Sequence, residues 1–457
     1  MPLLYLPSVA YVLGNQYWAT QSHQAGVTPT PVGVGQDSSN NSYTLFSASG
    51  LGVLTKRDVQ GVMQWQKSIT GSNSVSGQAI VVDKVNGFVY VASISNTPST
   101  INTTSGYPTS IFKYDLNGNV VWKVVVGSGA YDSSARMTVD STGSPVLLLR
   151  TQVTAGGGYA VVVKLNKDTG AITWQRQLQN ISQILGNIST DSANNVYITT
   201  TLLTISTATA VLLTKLNSSG TFQASKRLYD PLGQSSGAPY MSMEGGDIEV
   251  SPAGDVYVLV RNWRTDFAIQ ALVLFKLNAS LVMQWQRSLQ LTQGSVAFLS
   301  GSATLDTLGN LWTSWSRNNI YVTSQTNVVI SKISSGGALL LSMTLAGSLT
   351  AGEGLYNLDI CMDSLNQPMV YTQEKVLGAV KSTLARLPPT FSSLRTPSGD
   401  IKLESTSGTY VTNIDTSALV GVYTSSIAAG ALLQATSTLS TQNWAVAQLT
   451  TQLMLPV

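Results

Sequence analysis

The sequence predicts an all-β fold, a β-propeller built from four-stranded antiparallel blades in a ring. Three observations predict it. A unit of strand, turn, strand, loop, strand, turn, strand recurs from about residue 52 to about residue 373, at a spacing of roughly 50 to 60 residues. A glycine stands four residues ahead of a tryptophan in several copies: Gly61/Trp65, Gly118/Trp122 and Gly170/Trp174. A second tight turn in most units opens on an aspartate.

The elements follow in order. Residues 1–29 read as an N-terminal arm. Their apolar start lacks a basic segment and is broken by Pro7, which argues against a secretory signal. The first half of a unit is an apolar strand, a Gly or Asn turn, and a strand ending in Trp. Its copies are 53–65, 111–122, 161–174, 211–224, 272–285 and 328–341. Gly supplies the positive φ of a tight hairpin. Because side chains alternate faces along a strand, a fixed Gly-to-Trp spacing puts each Trp on the same face. The tryptophans concerned are Trp65, Trp122, Trp174 and Trp285; the copies ending in Ala224 and Leu341 lack one.

The second half is strand, Asp, turn, strand, in copies at 81–90, 138–147, 189–197, 249–257, 304–312 and 360–369. Asp83, Asp140, Asp191, Asp306 and Asp363 are placed to accept hydrogen bonds from the backbone two residues on. Calcium binding would need six or more oxygens converging on one point. These aspartates fall in separate units, so turn capping is the expected role.

The ends determine closure. Residues 379–394 read as a degraded first half and 401–411 as a second half, giving a seventh unit; 418–433 read as a further first half. Residues 32–46 read as a second half with no first half before them. Pairing 32–46 with 418–433 would clasp the ring as eight blades and hide two sheet edges. The alternative is seven blades, with 32–46 completing the unit at 379 and the C-terminal segment outside. The expected organisation is an arm at 1–29, the propeller at 30–440 and a tail at 441–457.

Composition narrows function. Charged residues are only 10% of the chain and the net charge is +3, against roughly 25% charged in ordinary soluble proteins. No basic block points to nucleic acid. No apolar run approaches the ~18 residues that span a membrane. Cys361 and His23 are each the single residue of their type, which excludes Cys–His catalysis and Cys/His zinc sites by count. Cys361 takes a position that is apolar in other units, such as Val81, and is expected to be a buried inert thiol. Lys56 is the first Lys or Arg, and no charged side chain follows Asp415. Uncharged ends can be buried without the desolvation cost of charge.

The repeats resemble a bacterial β-propeller repeat family whose units read KLDxxGNxxW followed by VDxxGNVYVTG. The unit at 161, through Asp168, Gly170 and Trp174, also resembles the tryptophan-docking repeat of quinoprotein and outer-membrane-assembly propellers. The resemblance implies that Trp65, Trp122, Trp174 and Trp285 pack between neighbouring blades. It implies no cofactor here, because the polar and cationic cluster of a quinone site is missing. In its sparse charge and its Ser/Thr/Gln content the chain is similar in style to phage tail structural proteins.

The expected function is therefore a non-enzymatic structural subunit of a phage virion, with no catalytic, cofactor or metal residues. Its partners would be other virion proteins or copies of itself, met through the uncharged termini and through loops such as 95–110 and 230–247. The alternative is an extracellular or surface propeller that binds protein or a host-surface glycan. For that reading the candidate contact aromatics are Trp18, Trp263, Trp312 and Trp315. Trp312 and Trp315, at odd spacing in one strand, should point to opposite faces.

Overall fold

Two kinds of hairpin alternate along the chain, and their sequences suit different places. The strands after the Asp turns begin as apolar runs, as in Pro145–Thr154 (PVLLLRTQVT) and Val256–Arg264 (VYVLVRNWR), which suits burial on both faces. The strands that carry the Trp alternate, as in Met63–Ile69 (MQWQKSI), which suits a half-exposed edge. A computed structural model bears this out: seven four-stranded antiparallel blades surround an axis, with the Asp-turn hairpin innermost and the Gly-turn hairpin outermost. The structure describes residues 29–387 apart from 70–74, 96–107, 128–130, 155–156, 179–184, 204–208, 230–240, 245, 265–269, 292–295, 320–324, 347–353 and 377–378, together with 18–22, 394–395, 402–405, 411–414, 421–423 and 440–442.

From the axis outward, blade 1 is Thr30–Gln36, Ser42–Ala48, Leu51–Arg57 and Met63–Ile69. Blade 2 is Val75–Asp83, Phe88–Ser95, Thr109–Asp115 and Val120–Gly127. Blade 3 is Tyr131–Val139, Pro145–Thr154, Gly157–Leu165 and Ile172–Leu178. Blade 4 is Leu185–Thr190, Val196–Leu203, Thr209–Leu216 and Phe222–Tyr229. Blade 5 begins as two short strands, Met241–Glu244 and Ile248–Val250, on one partner, Val256–Arg264; Gln270–Leu277 and Met283–Leu291 follow. Blade 6 is Val296–Leu305, Leu311–Asn319, Gln325–Ile333 and Leu339–Ala346. Blade 7 takes Gly354–Met362, Pro368–Val376 and Ala379–Arg386 from the end of the repeats, and its outermost strand, Trp18–Ser22, from the N-terminus. That strand pairs antiparallel from Trp18↔Arg386 to Ser22↔Ser382.

Three expectations are corrected. The ring is an all-β propeller as expected, with the alternative count of seven blades and not eight. Residues 32–46 form the inner hairpin of blade 1 with the strands that follow them, and do not pair with C-terminal strands. The clasp is made instead by Trp18–Ser22, so the expected arm at 1–29 contributes to the ring. The physical reason is phase. The Asp-turn hairpin comes first in each blade, so the hairpin at 32–46 already has its outer partner and the missing strand is the outermost one of blade 7.

The segment after Arg386 is also placed differently. The described parts of 401–411 lie on the edges of other blades. Lys402–Ser405 adds antiparallel to the outer edge of blade 6, Val411–Ile414 to blade 5, Gly421–Tyr423 to blade 4 and Ser440–Gln442 to blade 2. The chain thus doubles back around the rim against the blade order. The pairings Thr344↔Glu404, Ser288↔Ile414, Arg227↔Tyr423 and Val125↔Gln442 each lie three residues past the aromatic position of their blade (Leu341, Trp285, Ala224, Trp122). The tail residues concerned are separated by 10, 9 and 19 positions, the longest step being the one between the strands on blades 4 and 2.

Within each blade both hairpin turns fall on one face of the ring, because antiparallel strands reverse direction at each turn. Among the described residues the exposed large aliphatics are Val62, Val85, Val120, Val121, Val282, Leu308, Leu340 and Leu365, all at these turns and so on that face.

Candidate functional site

The expected docking residues come together at the joints between blades. The indole Nε1 of Trp65 donates to the Leu116 carbonyl at 3.1 Å, Trp122 to Lys167 at 2.9 Å, Trp174 to Ser218 at 3.0 Å and Trp285 to Ser335 at 2.9 Å. Each acceptor lies in the outer turn of the next blade. The turn glycine of that blade rests on the indole: a Cβ on Gly118 would stand 3.2 Å from the Trp65 ring, and one on Gly170 3.1 Å from Trp122. The glycine therefore does more than supply positive φ; it lets a turn close onto an aromatic ring. Gly61, at φ 83°, begins the series in blade 1.

Where blade 4 has Ala224 instead of Trp, blade 5 has Leu281 instead of the turn Gly. Leu281 is fully buried, holds φ 57°, and belongs to the apolar cluster against which Ala224 packs. Its side chain occupies the space that an indole fills elsewhere. At other joints Lys56, Lys113 and Lys276 share the carbonyl with the indole; here the equivalent Lys215 Nζ donates to the Ala279 carbonyl at 2.7 Å with no indole beside it. At the closing joint Arg386 of blade 7 donates to the Val59 carbonyl of blade 1 at 3.0 Å and is ion-paired with the buried Asp363.

The turn aspartates cap as expected. Asp191 Oδ1 accepts from Ala193 N at 3.0 Å and Asn195 N at 2.8 Å; Asp306 Oδ1 accepts from Leu308 N at 3.0 Å and Asn310 N at 2.8 Å. Asp83, Asp140 and Asp363 make the equivalent bonds. Burial works against the charge of Asp140. Hydrogen bonds from Lys164, Thr142 and Ser144 outweigh it and hold the carboxyl below the usual range. The left-handed turn residue is Asn in three blades, and there its side chain reaches the preceding blade. Asn194 accepts from Ser141 N at 2.9 Å, Asn366 from Thr307 N at 2.8 Å and Asn40 from Ser364 N at 3.0 Å, the last across the closing joint.

The contact aromatics fare differently. Trp312 and Trp315 do point to opposite faces, but both are fully buried, Trp312 in the cluster shared with blade 7 and Trp315 in that shared with blade 5. An inner strand is covered on both sides, so neither ring is a surface contact. Trp18 and Trp263 lie in described strands, but their side chains, like His23, fall outside the described residues. The loops at 95–110 and 230–247 fall largely outside them too.

An axial polar cluster went unread in the sequence. The ladder of the inner strand is irregular a few residues ahead of its turn in six of the blades, for example between Leu185 and Ile188 and between Asn357 and Asp359, and in blade 5 the inner strand is broken in two. Such bulges re-aim side chains. They bring Asn187 of blade 4, Asp247 of blade 5, Ser302 of blade 6 and Asp359 of blade 7 into one chain of hydrogen bonds. Asn187 Nδ2 donates to Asp247; Ser302 Oγ stands 3.1 Å from Asp247 Oδ2 and 2.9 Å from Asp359 Oδ1; and Asp359 Oδ2 accepts from Val34 N of blade 1 at 2.9 Å. Ser302 has one hydroxyl hydrogen to satisfy two carboxyls, so a proton on either carboxyl would strengthen this link. Burial, and then the charge of Asp247, push Asp359 up to about 7. Burial also raises Asp247, while burial and the two aspartates raise Glu249.

These carboxyls are largely saturated by backbone donors: Ala303 N and Ile248 N on Asp247, Val34 N and Ile360 N on Asp359. The arrangement suits tying inner strands together. Among the described residues no group of three or more His, Cys, Asp or Glu side chains could share a metal ion. Cys361 is partly buried beside Val34 and Met369, and burial pushes its thiol up, with a smaller push from Asp359. No helix among the described residues is long and apolar enough to cross a membrane.

No family model matches the sequence, and no curated protein does. Similar solved structures include hydrazine synthase of Kuenenia stuttgartiensis, at TM-score 0.46 and 9% identity over 87% of this chain and 99% of that one. A catalytically inactive virginiamycin B lyase from Staphylococcus aureus with quinupristin gives 0.45 and 10% identity, over 80% and 99%. A protein from Lactobacillus plantarum gives 0.46 and 12%, over 75% and 94%. Likenesses at this level say nothing of activity.

Proposed function

We propose that this protein is a non-catalytic structural subunit: a rigid ring that makes protein–protein contacts within a larger particle through its rim and uncharged ends. The observation that carries the reading is the course of the C-terminal segment. Four of its described strands lie on the outer edges of blades 6, 5, 4 and 2. A rim that accepts added strands through main-chain hydrogen bonds is a binding surface by strand addition. The aliphatic residues on the turn face, Val85 and Leu308 foremost, offer a second, uncharged contact area. The particle that suits a chain with 10% charge is a phage virion, with the tail as its place in that virion. The burial of Trp312 and Trp315 takes support away from glycan binding.

The test is the native mass of the full-length chain together with its detection in purified particles. Removal of residues 394–457 should abolish higher assemblies while the ring still unfolds cooperatively. A monomer at every concentration, never found in particles, would overturn the reading.

A further inference from the structure

Each outer strand of the ring ends a sheet, and an unpaired sheet edge is a template for another strand. Four of these edges carry a piece of the C-terminal segment. The sequences involved have little in common: Lys-Leu-Glu-Ser on blade 6, Val-Thr-Asn-Ile on blade 5, Gly-Val-Tyr on blade 4 and Ser-Thr-Gln on blade 2. Yet they cover one stretch of each edge, three to five residues beyond the aromatic position. Recognition that ignores sequence and keeps to one stretch is recognition of backbone. Such an edge has no means of telling its own tail from the tail of an identical chain. Among the described residues, Met63–Ile69 of blade 1 and Ile172–Leu178 of blade 3 present the same kind of edge with no strand added.

We propose that the rim is a docking surface for the C-terminal segment of a second copy of this chain, so that rings in an assembly are linked by exchanged rim strands. The proposal rests on the structural-subunit reading and names its partner. Three features of the segment suit exchange. The added strands are three or four residues long, so each is released at the loss of a few main-chain bonds. They are spaced along the chain, so a tail can be transferred one blade at a time without opening the ring. Among the described residues they pair with one another only through the short contact of Leu394–Arg395 with Lys402–Leu403, so each rim strand is held mainly by the edge it lies on. In dilute solution a tail's own ring wins, because tethering gives it an effective concentration in the millimolar range. Rings held side by side remove that advantage.

The test uses the full-length chain in a Cys361→Ser background. One preparation carries Leu289→Cys on the edge of blade 5, and another carries Asn413→Cys on the tail; these positions lie opposite each other in the ladder. The two are mixed at high concentration, oxidised and run on a non-reducing gel. Exchange yields a covalent heterodimer that is absent when either variant is oxidised alone. A chain bearing both substitutions, oxidised when dilute, should give a crosslinked monomer, which confirms that the register survives substitution. A crosslinked monomer from the double variant with no heterodimer from the mixture would overturn exchange. Native mass, measured on the same samples, reports separately whether copies assemble at all, so failure of exchange is distinguishable from failure of the subunit reading.

Discussion

The contact between a turn glycine and the indole of the preceding blade can be weighed against a built-in control. Gly220 has φ 77°, and a Cβ there would stand 2.8 Å from two ring carbons of Trp174. Gly309 has nearly the same backbone, φ 76°, with nothing within 4 Å. Replacing either by Ala imposes the left-handed penalty of an L-residue, about 1–2 kcal/mol. Only Gly220→Ala adds a clash. Trp174 is held by its 3.0 Å bond to the Ser218 carbonyl and cannot withdraw without breaking it. Overpacking of this sort costs about 1–3 kcal/mol. Gly309→Ala should therefore lose ~1–2 kcal/mol and Gly220→Ala ~2–5 kcal/mol. Urea unfolding followed by fluorescence, with an unchanged slope against denaturant, measures both. In a Trp174→Ala background the extra loss at Gly220 should vanish. Equal losses at the two glycines would refute the argument, because the indole would then impose nothing on the turn.

Other perturbations test the joints and the axis. Ala224→Trp should destabilise by overpacking against Leu281, and Leu281→Gly by emptying a buried site. The double variant should recover part of the sum, with a coupling of about 1–3 kcal/mol in a double-mutant cycle; strict additivity would mean that the two side chains do not share one space. Arg386→Ala strands the buried charge of Asp363 and should cost about 3–5 kcal/mol in denaturant unfolding, with partial recovery on adding Asp363→Asn. The axial carboxyl gives a pH dependence. Asp359 is raised from 3.8 to about 7 in the fold, so the folded state holds the proton more tightly than the unfolded chain. Its contribution is fully present below about pH 4 and is lost as pH rises toward 7, by up to about 1.4 kcal/mol per pH unit. Melting temperature should fall between pH 5 and pH 7.5. Asp359→Asn should reduce that slope without abolishing it, since Asp247 and Glu249 shift in the same sense; an unchanged slope would exonerate Asp359.

The strands, both turn types and the docking tryptophans were legible because each rests on local chemistry: positive φ at Gly118, an aspartate capping its own turn at Asp191, a fixed Gly-to-Trp step. The phase of the blade was less so. The alternating pattern of Met63–Ile69 marks it as an edge strand, but that clue competes with the unit boundaries that the eye draws at each Trp. The exchange of Trp and Gly for Ala224 and Leu281 was also present as a paired departure from the repeat, and needs only the knowledge that one blade's aromatic meets the next blade's turn. The axial cluster had a signal too. Asn187, Asp247 and Asp359 each sit four residues ahead of their turn, a column that is Gly33 and Ala79 in blades 1 and 2. The course of the C-terminal segment had none. Which of several similar edges Val411–Ile414 joins is decided by distances that only the folded ring defines.

The strand that seals blade 7 carries a consequence for biosynthesis. Trp18–Ser22 leaves the ribosome early, but its ladder partner, Ala379–Arg386, is translated some 360 residues later. At 5–20 residues per second that interval is on the order of 20 to 70 seconds. For all of it the growing arc is an open spiral, and the strand that will close it waits for its ladder partner. Anything that holds that strand during translation, a chaperone or a neighbouring nascent chain, governs whether the circle is completed within one polypeptide.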